Sequence, residues 1–265
     1  MAGRFSHLEF SPEDERRHQP RSEGVAKASA EQYLQSADEA HRWGDFELAL
    51  RLHTRCLKEN RAMIPAWVGQ VQMLVQLAEY HEARLWADKA LELFRNNGEL
   101  MAAKAQACAR GSDFRAAYAC NDAAMAAPGS SPWRWQVRGE ILLARKEPRH
   151  VDCFEKSLIE PSADWFDRIV IARICLFYHQ ATAALRWTQQ AVELKPEHAY
   201  NWFMLGQCQR ELGWSAPAMQ SYKRCLELRA DFRPARMALL SAEHDSSWSM
   251  FWRRVRRRLR GGRTG

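Results

Sequence analysis

The sequence predicts an all-α protein, a stack of about six helical hairpins closed at its C-terminal end by a capping helix. Three observations predict it. Small residues recur every 34 positions, large apolar residues keep step with them, and strand-like alternation is hard to find in a chain rich in Ala, Leu, Arg, Glu and Gln. At 265 residues, 46% of them hydrophobic, the chain has ample apolar surface for a stack in which each unit buries its face against the next.

The columns carry the argument. Ala49, Ala83 and Ala117 stand 34 apart, as do Ala184 and Ala218. A second column runs Cys56, Ala90, Ala124, Ser157, Ala191, Cys225, each followed by a large apolar residue from Leu57 to Leu226. A third runs Tyr33, Trp67, Met101, Trp135, Arg168, Trp202, and a fourth holds Phe46, Tyr80 and Phe114. Small residues let two helix backbones approach, and large ones opposite fill what remains.

These columns resemble the tetratricopeptide repeat family, with its Trp-x2-Leu-Gly…Ala-x3-Tyr pattern on a 34-residue period. The last repeat matches best, reading Trp202, Leu205, Gly206, Gly213, Ala218, Tyr222, with Pro196 closing the repeat before it. The resemblance covers about residues 30–232. It implies a right-handed superhelical solenoid whose first helices line a concave groove for a protein segment.

Taken in order, the hairpin turns are expected near Gly44-Asp45, Ala78-Glu79, Gly111-Ser112-Asp113, Glu147-Pro148, His179-Gln180 and Gly213-Trp214. The fourth repeat is one residue short near Glu147-Pro148-Arg149, and Pro148 stops a helix there. Repeat five departs too, with Arg168 and Ala172 where the best repeat has Trp202 and Gly206. An altered curvature is expected at this junction. Pro234 to Glu243 reads as a further amphipathic helix, a terminal cap.

The organisation is thus a polar N-terminal tail (1–28), a solenoid with its cap (29–245) and a basic tail (246–265). The first tail is expected to be disordered. It holds one apolar island, Arg4-Phe5-Ser6-His7-Leu8-Glu9-Phe10, which reads either as ordinary tail or as a short docking motif.

The net charge of +7 belongs to the last segment. After Asp245 come Arg253, Arg254, Arg256, Arg257, Arg258, Arg260 and Arg263 and no acid, so the repeats are near neutral and carry no nucleic-acid footprint. With Trp248, Phe251 and Trp252 the tail forms an amphipathic pattern. It suits an anionic membrane surface, nucleic acid or an acidic protein, and equally a last helix packed on the solenoid.

No function class beyond binding is nominated. The seven cysteines are scattered and odd in number, which suits buried thiols in a reducing compartment. His150 and Cys153 have a ligand spacing but no second pair to complete a zinc site. No phosphate loop, nucleophile elbow or HExxH is present, and no small-molecule substrate or cofactor is expected. The lack of a secretory h-region and of a long apolar run points to a soluble, cytoplasmic, non-enzymatic scaffold, with peripheral membrane attachment through the tail as the alternative.

The resemblance places the partner surface on the first helix of each hairpin. Repeat one presents Glu31, Leu34, Gln35, Asp38 and Arg42; repeats two and three present mostly glutamine and small residues, with Gln106 and Arg110 last. Repeats four to six present Trp133, Val137, Phe166, Ile169, Val170, Tyr200, Phe203 and Met204. An apolar or amphipathic segment is the expected guest there, unless several of these side chains are core. The carboxylate clamp of chaperone-binding family members is not expected, because its places hold Leu34, Asp38, Gly69, Glu99 and Ala103.

Overall fold

The computed structural model describes residues 28–242, and every regular element among them is helical. Helices α1 (Ala30–Arg42) and α2 (Phe46–Glu59) form the first hairpin, α3 (Ile64–Gln76) and α4 (Tyr80–Leu93) the second, α5 (Gly98–Arg110) and α6 (Phe114–Ala126) the third. The fourth is α7 (Pro132–Ala144) with α8 (His150–Ile159), the fifth α9 (Trp165–Phe177) with α10 (Ala181–Leu194), and the sixth α11 (Ala199–Glu211) with α12 (Ser215–Leu228). A last helix, α13, covers 233–242. The all-α architecture of stacked hairpins is therefore the observed one.

The chain divides into two compact units, the first ending at Ser162 and the second beginning at Ala163. In the first, each hairpin packs on the next, and α1, α3, α5 and α7 also touch in series as an inner row. In the second, α9 packs on α10 and α11 on α12, and α9 touches α11. The N-terminal tail motif and the basic tail lie outside the described residues.

Local chemistry starts the helices where they start. Ser29 and Gln32 form a reciprocal capping box on α1, and Asp164 and Asp167 do so on α9. Asp45, Asn97, Asp113 and Ser131 accept the backbone N–H three residues on.

Each hairpin turns through one left-handed residue: Gly44, Ala78, Ser112, Lys146, His179, Gly213. These keep the 34-residue step except between Lys146 and His179, where it is 33. The second helix normally begins two residues later; after Lys146 it waits until His150, and α8 has 10 residues against 13 or 14 in its counterparts. The missing residue inferred at Glu147-Pro148-Arg149 thus shortens α8 from its start.

A pair of positions sets the helix approach within each hairpin. Gly139 abuts Phe154 and Gly206 abuts Tyr222, each ring lying where a Cβ on the glycine would go. The corresponding pairs elsewhere are Ala37 and His53, Val71 and Ala87, Ala105 and Asn121, and Ala172 and Thr188, all of them buried. The largest residue at the first place meets the smallest at the second, so the summed volume stays within what close packing tolerates.

Loops between hairpins are held by side chains of the following helix. Trp67 and Trp202 donate from Nε1 to the carbonyls of Arg61 (2.9 Å) and Pro196 (2.7 Å), each six residues upstream. Arg134 donates to the carbonyls of Ala124, Ala127, Pro128 and Gly129, and Asn201 to those of Ala191 and Lys195. The bonds to Ala124 and Ala191 satisfy helix C-terminal carbonyls, and the others tie down the loop carbonyls that follow. In the fifth hairpin Arg168 replaces the tryptophan and donates to the carbonyl of Asp164, the N-cap of its own helix.

Helix α13 closes the second unit. Ala235, Ala238 and Ala242 are buried, and Ala238 packs with Ala218 and Tyr222 of the last hairpin, while Met237 and Leu240 face outward.

Candidate protein-interaction surface

In the first unit the inner row grades from open to closed. On α1, Glu31, Gln35 and Asp38 are exposed and Leu34 and Arg42 half-buried. On α3, Gln72 and Gln76 are half-buried. On α5 and α7 the polar residues turn inward. Gln106, Arg110, Gln136 and Glu140 are all buried. The Arg110 guanidinium pairs with Glu140, and Gln106 Nε2 donates to the other Glu140 oxygen at 2.7 Å. Gln106 and Arg110 therefore join two hairpins rather than present a polar lining.

Glu140 was not nominated by the sequence. It stands 34 residues after Gln106, in the same repeat column, and that spacing is the one signal that links them.

Of the apolar residues nominated in repeats four to six, the structure brings five into the interior. Val137 and Ile169 are fully buried, and Phe166, Tyr200 and Met204 nearly so. They are corrected here from guest-contacting to packing residues, because the inner face of a first helix packs on its hairpin partner and on the adjacent first helix at once. Burial also raises the Tyr200 phenol above its usual range.

Trp133, Val170 and Phe203 remain half-buried. Trp133 lies against the Ala102, Ala105 and Val137 cluster. In the second unit Phe203 crowns an aromatic platform. Its ring stacks on Tyr200 at 5.9 Å, meets Phe232 edge-on at 5.3 Å and leans on Tyr222 at 6.0 Å. Tyr200, Phe232 and Tyr222 are buried beneath it. Gln207 and Arg210 follow on α11, joined at 3.0 Å. The arrangement offers an ordered apolar contact with a polar edge.

His150 Nδ1 lies 2.7 Å from the Glu147 carbonyl and Cys153 is buried. Among the described residues no three His, Cys, Asp or Glu side chains converge as metal ligands, and no helix is long and apolar enough to cross a membrane.

Comparison with known proteins follows the same lines. A tetratricopeptide repeat family model matches residues 199–232, which span α11 and α12. A tetratricopeptide repeat protein from Parabacteroides merdae shares 12% identity and superposes with a TM-score of 0.51, over 81% of this chain and 84% of its own. The APC/C Cut9–Hcn1 hetero-tetramer contains a chain with 13% identity and a TM-score of 0.49, over 81% of this chain and 43% of that one. YrrB, described as having an unusual peptide-binding site, shares 16% identity with a TM-score of 0.40, over 70% of this chain and 96% of its own. The chain thus spans less than half the length of the Cut9–Hcn1 chain it matches. No curated protein sequence matches it. At these identities the Parabacteroides superposition shows a shared fold of stacked hairpins.

Proposed function

We propose that the chain, which resembles tetratricopeptide repeat proteins in its last full hairpin and in its fold, is a non-enzymatic interaction scaffold. It captures an apolar or amphipathic segment of a partner protein on the first-helix face of its hairpins. The observation that carries the reading is Phe203, left half-exposed on top of buried Tyr200 and Phe232. An aromatic ring held rigid by rings below it loses little entropy when a partner covers it, which makes such side chains the usual anchors of interfaces. Val170 on α9 is a further contact residue of the second unit, and Trp133 on α7 is a separate contact residue of the first. Tyr200 supports Phe203, and the cluster holding Val137 supports Trp133, while Phe166, Ile169 and Met204 are buried packing residues.

The test uses serine variants at the half-buried places alone. Val170→Ser with Phe203→Ser weakens capture of a peptide selected on the full-length chain by about tenfold or more, the loss of one to two anchor contacts. Helicity is retained because the buried platform is untouched. Undiminished capture with native helicity removes this face from consideration.

A rival reading rests on the seven arginines after Asp245. There the tail anchors the repeats to an anionic membrane surface or to nucleic acid. Co-sedimentation with anionic vesicles separates the two: binding that disappears in a chain ending at Asp245, and fades with salt, favours the tail.

A further inference from the structure

Cys120 differs from the other six cysteines. It is half-buried, while Cys56, Cys108, Cys153, Cys175, Cys208 and Cys225 are buried. It lies on α6 and packs against the apolar cluster that holds Cys108, in the last turn of α5, the helix packed against it. The turn Gly111-Ser112-Asp113 links the two helices, so both thiols belong to one hairpin.

The surroundings are charged. Lys104, one turn before Cys108 on α5, holds Asp88 of α4 at 2.6 Å, and Arg84 of α4 holds Asp113 at 3.6 Å. We infer that Cys108 and Cys120 form an oxidisable dithiol, a modification site that a hydroperoxide closes to a disulfide within the third hairpin.

The division of labour follows from access and charge. The neighbouring Cys108 thiol and the nearby Lys104 ammonium, with Arg84 beyond, hold the Cys120 thiol down to about 7, against the opposing pull of burial and Asp88. Cys108 is raised by its Cys120 neighbour and by burial, so it keeps its proton. Elsewhere burial pushes Cys208 up to about 11 and Cys225 up to about 12. Cys120 is the attacking thiolate and Cys108 the resolving thiol.

The electrons balance in two steps. The Cys120 thiolate attacks one peroxide oxygen; the O–O bond breaks, the distal oxygen leaves as water after taking a proton, and Cys120 becomes a sulfenic acid. Cys108 then attacks Cys120 Sγ. The S–S bond forms, the S–O bond breaks, and the hydroxide leaves as water with the Cys108 proton. Two thiols give up two electrons to one hydroperoxide, and a dithiol reductant reverses the bridge. Closure ties the end of α5, two residues from Arg110, to the middle of α6.

The experiment treats the full-length reduced chain with hydrogen peroxide, then alkylates, digests and maps it by mass spectrometry. A Cys108–Cys120 cross-linked peptide is expected, forming roughly tenfold faster than oxidation at any buried cysteine and reversed by dithiothreitol. In Cys108→Ser the reaction stops at the Cys120 sulfenic acid, which dimedone labels; in Cys120→Ser, Cys108 takes no label. Should Cys108→Ser lose its helicity, Cys108→Ala replaces it, and the kinetics on the unaltered chain decide by themselves. A bridge between other cysteines, or Cys120 oxidising no faster than Cys56, overturns the assignment. This test is independent of whether the first-helix face captures a peptide.

Discussion

Gly139 lies against Phe154 so closely that a Cβ on it would stand 2.4 Å from one ring carbon and 2.6 Å from the next. Gly206 and Tyr222 repeat the relationship at the same two distances. Gly139→Ala and Gly206→Ala are each expected to destabilise their unit by about 1–3 kcal/mol, the cost of overpacking a filled interior. Urea unfolding measures it. In the Gly139→Ala background, Phe154→Leu should cost less than it does alone, with a coupling of about 1 kcal/mol.

The turn residues carry a different strain. Ala78, Lys146 and His179 adopt φ of 63°, 60° and 58°, where a side chain is disfavoured and glycine is not. Ala78→Gly is expected to stabilise the first unit by roughly 0.5–1 kcal/mol, and His179→Gly the second by a similar amount. Gly213→Ala, at a φ of 77°, runs the other way. Thermal melts of the three variants check the signs.

Arg110 and Glu140 form a buried ion pair, with side chains 5% and 0% exposed. Removing one partner takes the opposite charge away from a buried ion, so Glu140→Ala and Arg110→Ala are each expected to cost about 3–5 kcal/mol. Arg110→Met with Glu140→Leu should restore most of that loss. Denaturant midpoints of the two single variants and the double variant provide the comparison.

His53 supplies the acid sensitivity. Burial lowers it from 6.5 to about 4, so the folded chain keeps it neutral where the unfolded chain binds a proton. Its contribution is whole above the unfolded value, diminishes as the pH falls from 6.5 toward 4, and below that is smaller by roughly 3 kcal/mol. Replacing His53 with glutamine should flatten the stability of the first unit over that window. Folding midpoints measured across it decide.

The hairpins were legible because packing columns repeat whenever the backbone does. The shortened fourth repeat was legible for the same reason, as a one-residue slip. The left-handed turn column was visible only at Gly44 and Gly213; Ala78, Ser112, Lys146 and His179 hold that conformation because the stack imposes it, against their own preference. The surface was legible only in part. Periodicity locates the inner face of a first helix but not how wide an arc its neighbours cover. Val137, Phe166, Ile169, Tyr200 and Met204 fell inside that arc, while Trp133, Val170 and Phe203 sat at its rim. The link between Arg110 and Glu140 joins two hairpins, and no local pattern contains it.

The most direct measurement is a random peptide library displayed against the immobilised full-length chain, with enriched peptides then titrated against the Val170→Ser, Phe203→Ser variant. Peptides with spaced apolar anchors that bind the unaltered chain and lose about tenfold or more on the variant are the predicted result. Enriched peptides that bind both proteins equally well, at equal helicity, would contradict capture on this face.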